Sequence, residues 1–188
     1  RCSRDWSSDV CSSDLKQKPA TAIRMDEVYA IPLRALYSRN VANLMMAGRN
    51  ISASHVAFTS TRVMATCAVM GQAAGTAAAL CACDQLKPAQ LYQDKSRLEE
   101  LRQVLLRDDQ TIKNLKNSDP KDLARSAKVT ASAVHQDAKP EAVINGLVRD
   151  LPGAWLNRWM APMSPAGAWI ELSWDQPQKI SHIQITFD

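Results

Sequence analysis

The chain has 188 residues, 46% hydrophobic and 22% charged, with a mean hydropathy of -0.26; this excludes collagen, low-complexity and coiled-coil classes and leaves one or two globular domains. A formal net charge of +4, with 23 Lys and Arg spread along the chain, gives no nucleic-acid footprint. Five Cys without a C-x2-C pair and only three His give neither a disulfide framework nor a metal site, and Arg39, Arg49, Arg62 and Gln72 interrupt the best apolar runs, so no membrane span is expected.

Residues 1–15, RCSRDWSSDVCSSDL, have no apolar h-region and are not a signal peptide. Val10 to Leu15 can be written in codons as GTG TGC TCT TCC GAT CTN, which looks like the end of a common sequencing-library adapter. The segment is therefore read as translated adapter, with coding sequence proper beginning near Lys16. The chain stops at Asp188 directly after an alternating pattern, and both ends are read as cut.

From Val28 to Leu36 an extended segment is broken by Pro32, which forbids a central-strand role. Asn43 to Ala47 reads as a short buried strand ending at Gly48, followed by a polar loop to Ser60. A helix is expected from about Thr61 to Ala82, with Ser60 or Thr61 as N-cap. Its small residues Ala65, Ala68, Gly71, Ala74, Gly75 and Ala78 recur every three or four positions. Glycine inside a helix costs up to about 1 kcal/mol, so Gly71 and Gly75 imply a closely packed face. Pro88 opens a second helical region, in which Leu98, Leu101, Leu105 and Leu106 form an amphipathic stripe. This first block, 16–118, ends in the turn-rich Asn117-Ser118-Asp119-Pro120, and 119–123 reads as a linker.

The character then changes. Lys128 to Val134 alternates, Pro140 to Asn157 is loop-like with a turn at Asn145-Gly146, and Ala168 to Trp174 and Ile180 to Phe187 alternate again across Asp175-Gln176-Pro177. Four Trp fall between 155 and 174. The expected fold class is α/β, a strand plus long helix and further helices, followed by a partial all-β sandwich over 124–188.

The strand, Gly turn, polar loop and helix from Asn43 to Leu80 bring backbone N–H groups and the positive end of a long helix beside a loop, a geometry suited to an anion or an electron-rich ring edge. The sequence here is more specific. NLMMAGRNISASHVAFTSTRVMATCAVMGQAAGTAAAL resembles the C-terminal flavin-binding segment of the FAD-dependent oxidoreductases related to fumarate reductase and glutathione reductase flavoproteins. The matching positions are Asn43, Leu44, Ala47 to Arg49, Ser52, Ala53, His55, Arg62 to Met64, Thr66, Cys67, Gly71 to Gly75 and Ala77 to Ala79, and Tyr29 to Arg34 matches the stretch upstream.

The resemblance implies FAD as cofactor and places Ala47, Gly48, Arg49 and Asn50 against the ribityl-pyrophosphate chain, with Gly48 allowing close backbone approach. It implies that Thr61, Arg62, Val63 and Met64 face the isoalloxazine, where the helix dipole favours the anionic reduced form. His55 is the candidate general acid or base, and Arg62 the other catalytic candidate. Arg49 and Arg62 are also candidates for phosphate or substrate carboxylate. Cys67, Cys81 and Cys83 are expected as buried thiols. The family's G-x-G-x-x-G fingerprint is not in this chain, so the fragment alone is expected not to hold FAD tightly; purification with stoichiometric yellow flavin is the result that refutes this.

Residues 124–188 resemble the first half of a discoidin-like (factor 5/8 type C, galactose-binding-like) sandwich, through Ala131 to Ala133, Ala142 to Gly146, Trp159, Trp169 to Leu172 and Ile180 to Phe187. Asn145 stands where relatives often have Asp, against a calcium site there. Trp169 and Trp174 fall on opposite strand faces, so at least one belongs to a core. The implied function is hydride transfer between a small-molecule or sugar-related substrate and FAD, with an appended carbohydrate-binding-type module and a periplasmic or secreted parent. The alternatives are a non-catalytic carbohydrate-binding or adhesion protein on a degenerate α/β scaffold, or a fragment without independent activity.

Overall fold

The computed structural model describes residues 28–151 and 155–187; the adapter reading of residues 1–15 lies outside them. Pro32 opens the described fold as expected of a breaker, followed by a 3-10 turn at Leu33–Leu36. The expected strand at Asn43–Ala47 is not formed. Met45 makes a single antiparallel bridge with Tyr37, flanked by Ser38 N–H to Leu44 O at 2.9 Å and Met46 N–H to Leu36 O at 2.7 Å. With only this one neighbour among the described residues, the apolar run stays a narrow loop, since a ladder needs a partner strand. A second 3-10 turn follows at Gly48–Asn50.

Four helices come next, α1 (His55–Thr61), α2 (Met64–Cys83), α3 (Pro88–Gln93) and α4 (Lys95–Arg107). The single helix expected from Thr61 is thus two, divided at Arg62 and Val63. The N-cap is Ser54, whose Oγ accepts the Ala57 N–H at 3.3 Å. Ser60 and Thr61 instead end α1, their hydroxyls donating back to helix carbonyls, Ser60 to Ala57 and Thr61 to Ala57 and Phe58. Serine and threonine satisfy such carbonyls as readily as they cap. Pro88 starts α3 as expected, with Gln90 Oε1 accepting the Lys87 N–H at 2.9 Å. Asp94 ends α3 and caps α4 by accepting the N–H groups of Ser96 and Arg97.

The core lies in this first block. Met70, Ala73, Ala77 and Cys81 recur at three- and four-residue spacing on one side of α2 and meet Leu36, Ile51, Leu91, Leu101 and Leu105. Of the leucine stripe of α4, Leu101, Leu105 and Leu106 are buried as the sequence predicts and Leu98 is half-buried, and Tyr37 packs against Tyr92 at 6.1 Å between ring centroids. The other side of α2 differs from expectation. Gly71, Gly75, Ala65, Ala68 and Ala78 are exposed, and a Cβ added at Gly71 or Gly75 would meet nothing within 4 Å. Among the described residues the expected close packing is absent there, since α3 and α4 both sit on the opposite side of the helix, against Met70, Ala77 and Cys81. α2 runs 20 residues through Gln72 without a charge and by length and composition alone is long and apolar enough to cross a membrane, a test that the core helix of a soluble protein also passes.

In the second block, β1 (Lys128–Ala131) and β2 (Ile170–Ser173) pair antiparallel in the register Lys128 to Ser173 through Ala131 to Ile170. Short 3-10 turns lie at Leu123–Ser126 and Pro140–Ile144, and Gly146 takes φ +83° at the expected turn. The described residues form this two-stranded sheet and not a sandwich. The expected strand at Ile180–Phe187 is not formed. Its residues are exposed, and in place of ladder bonds Gln184 Nε2 donates to Arg107 O at 2.9 Å and Thr186 Oγ1 to Asp109 Oδ1 at 2.7 Å. Side chains at 184 and 186 are thereby taken up by the end of α4, leaving Ile183, Ile185 and Phe187 outward.

Candidate functional site

The loop between the Tyr37–Met45 bridge and α1 turns at Gly48, whose φ of +65° is the left-handed conformation that favours glycine. A Cβ there would stand 3.8 Å from Cys67, ordinary contact, so backbone conformation and not internal crowding demands the glycine. Ala47 is packed on the core and buried Ile51 pins the other side, leaving Arg49 and Asn50 exposed between two anchors. The turn lies against α2 near its start, and Arg49 reaches α1, its guanidinium carbon 5.9 Å from the centroid of the Phe58 ring.

α2 begins beside this turn. Val63 precedes its first residue in an extended conformation and no side chain caps it. The first N–H groups of a helix have no partner within the helix and carry the positive end of its dipole. Val63 and Met64 are exposed at this end, and Arg62, the C-cap that follows α1, is half-buried. Thr61 is buried, with its hydroxyl taken up by α1, and its carbonyl accepts a 3.7 Å contact from the Cys67 thiol. His55 is exposed in the first turn of α1, not in a loop as the sequence reading had it.

The fold therefore gathers Gly48, Arg49, Asn50 and the start of α2, and sets Thr61 inward. His55 lies at the far end of α1 from Arg62. Sequence reasoning missed Phe58. The signal was available, because Phe58 is the one Phe, Tyr or Trp between Tyr37 and Tyr92. The residues present suit a phosphate-bearing cofactor: a left-handed glycine turn, an exposed arginine within it and an uncapped 20-residue helix start adjoin one another.

The cysteines divide. Cys81 is buried, and burial, with Asp84 nearby, pushes its thiol up. Cys67 is half-buried and Cys83 exposed, which corrects the expectation of three buried thiols; Cys83 falls on the uncovered side of α2. The described residues contain no group of three or more His, Cys, Asp or Glu placed to hold a metal ion.

A cavity of about 320 Å³ lies elsewhere, lined by Asp109, Val148, Arg149, Asp150, Arg158, Thr186 and Phe187. Its wall is a loop tied by Asn157, which donates from Nδ2 to Leu147 O and Arg149 O, while the Asn157 N–H goes to Asp150. Arg158 pairs with Asp150. Among the tryptophans, Trp155 and Trp169 are exposed. The indoles of Trp159 and Trp174 donate to Ala133 O and Leu123 O at 2.9 Å and fasten the loops of this block.

A family model described as FAD dependent oxidoreductase matches residues 2–105, and a second, described as a domain of unknown function (DUF7402), matches residues 122–188. No curated protein and no solved structure matches the chain.

Proposed function

The chain belongs to the FAD-dependent oxidoreductase family, and from that premise we propose that the Gly48 turn and the start of α2 hold the flavin cofactor during hydride transfer with a small-molecule substrate. FAD supplies the hydride-accepting ring when bound. The chain's own contribution is electrostatic and steric. Gly48 keeps a backbone surface free of side chain, Arg49 offers a planar set of donors matched to a phosphate, and the α2 dipole favours negative charge at its start. Arg62, at the junction of α1 and α2, adds a fixed positive charge beside that helix start. His55 is the proposed proton donor or acceptor toward substrate.

The observation that carries this reading is the contact of the left-handed Gly48 turn with the first turns of an uncapped 20-residue helix. A dipole aimed at the cofactor favours the more negative redox state. The 188-residue chain is therefore expected to bind photoreduced FAD more tightly than oxidised FAD in anaerobic titrations. Equal affinities, or tighter binding of the oxidised form, would remove the helix from the reading.

A further inference from the structure

A charge on a cavity wall attracts a ligand most strongly where the protein does not itself neutralise it. The cavity beyond the end of α4 has four charged side chains on its wall, Asp109, Arg149, Asp150 and Arg158. Asp150 and Arg158 pair with each other. Asp109 and Arg149 do not. Among the described residues, the Asp109 carboxylate has neutral donors alone, Thr186 Oγ1 at 2.7 Å and Gln184 Nε2 at 3.4 Å, both on Oδ1. The Arg149 side chain has neither a hydrogen bond nor an ion pair there. Both residues are anchored by their backbones. Asp109 takes the left-handed conformation, φ +65°, in a turn closed by the Gln110 N–H on Leu105 O at 2.9 Å, and Arg149 O accepts from Asn157 Nδ2 at 3.3 Å.

Size and charge together select a ligand class. A volume of about 320 Å³ lies at the small end of the roughly 300–1,000 Å³ of small-molecule sites, and gives room for one molecule of amino-acid size. A simple anion would satisfy Arg149 and meet the charge of half-buried Asp109, and a simple cation would meet the reverse conflict. A ligand that carries both charges meets neither. Half-buried Val148 and the exposed Phe187 ring add an apolar wall. We propose that this cavity binds a free α-amino acid with an apolar side chain, its carboxylate on Arg149, its ammonium on Asp109 and its side chain against Val148 and Phe187. The site is separate from the flavin reading. It takes Asp109 from the turn after α4 and its other walls from the second block, so neither block completes it alone.

The test is an amide NMR titration of the 188-residue chain with L-leucine and with its two one-charge analogues, 4-methylpentanoate, which lacks the ammonium, and isopentylamine, which lacks the carboxylate. Leucine is expected to shift the signals of Asp109, Val148, Arg149 and Thr186, and each analogue to bind about two- to fivefold more weakly, the factor that one exposed ion pair supplies. Arg149→Gln is expected to weaken leucine and 4-methylpentanoate by that factor and to leave isopentylamine unchanged. Asp109→Asn, which keeps an oxygen for Thr186, is expected to weaken leucine and isopentylamine and to leave 4-methylpentanoate unchanged. The proposal is overturned if leucine shifts none of these signals up to its solubility limit, or if either analogue binds as tightly as leucine. It is also overturned if a folded variant weakens all three ligands alike or none of them. The comparison of the three ligands needs only the parent chain, so it decides the matter even where a variant fails to fold.

Discussion

At Asp150, opposing influences meet on one carboxylate. Desolvation, the largest, pushes its pKa up, while the Asn157 N–H and the Arg158 guanidinium act against it, and together these bonds hold it below the usual carboxylate range. A carboxyl with a lowered folded-state pKa contributes stability above its unfolded value and loses it as pH falls through the folded one. Amide-exchange protection across 147–151 and 155–158 is therefore expected to decline once the pH drops below about 4, and Asp150→Asn to show low protection already at neutral pH with a flat acid response. A parent chain whose protection is independent of acid would contradict this. The Asn145–Gly146 turn of the same loop was legible, because a left-handed glycine after asparagine is a local property. The Asp150–Arg158 pair was not, since nothing in eight residues of sequence says that the loop returns on itself.

Among elements, α2 tests what a helix face is for. Gly71 and Gly75 lie in its interior with open space where a Cβ would go. Gly71→Ala and Gly75→Ala are each expected to stabilise the chain by about 0.5–1 kcal/mol, read as a higher urea midpoint with an unchanged slope. Destabilisation by either would show that this face is covered in solution. The C-terminal end of this helix was readable to within one residue, and the Leu101, Leu105 and Leu106 face of α4 was readable too, because each follows from spacing alone. The break at Arg62–Val63 was not readable. Ser54, Ser60 and Thr61 all have capping side chains, and choosing among them depends on the packing of Thr61 and Cys67.

Over the whole molecule, burial is uneven. The nine residues of the main core all fall between Leu36 and Leu105, whereas the second block relies on a four-residue strand pair and on indole and amide fasteners. Period two was correctly read in Ile180–Phe187, but a pattern of alternation does not say which strand will pair with it. Here the polar half bonds to α4 and the apolar half faces solvent, with Ile183, Ile185 and Phe187 exposed by 74%, 67% and 86%. Such a patch binds hydrophobic dyes and promotes association. The triple variant Ile183→Ser/Ile185→Ser/Phe187→Ser is expected to lower anilinonaphthalene sulfonate fluorescence and light scattering without lowering the melting temperature. An undiminished dye signal would move the sticky surface to the open side of α2.

The bond between Thr186 and Asp109 spans 77 positions of sequence. Contacts this distant close only after the intervening chain has been ordered or its loop entropy overcome, whereas the turns of α2, α3 and α4 need only near neighbours. The tether of the last residues to the end of α4 is thus a late event in folding and an early one in unfolding, which makes the far end of the chain a reporter of whether the helical block has already assembled.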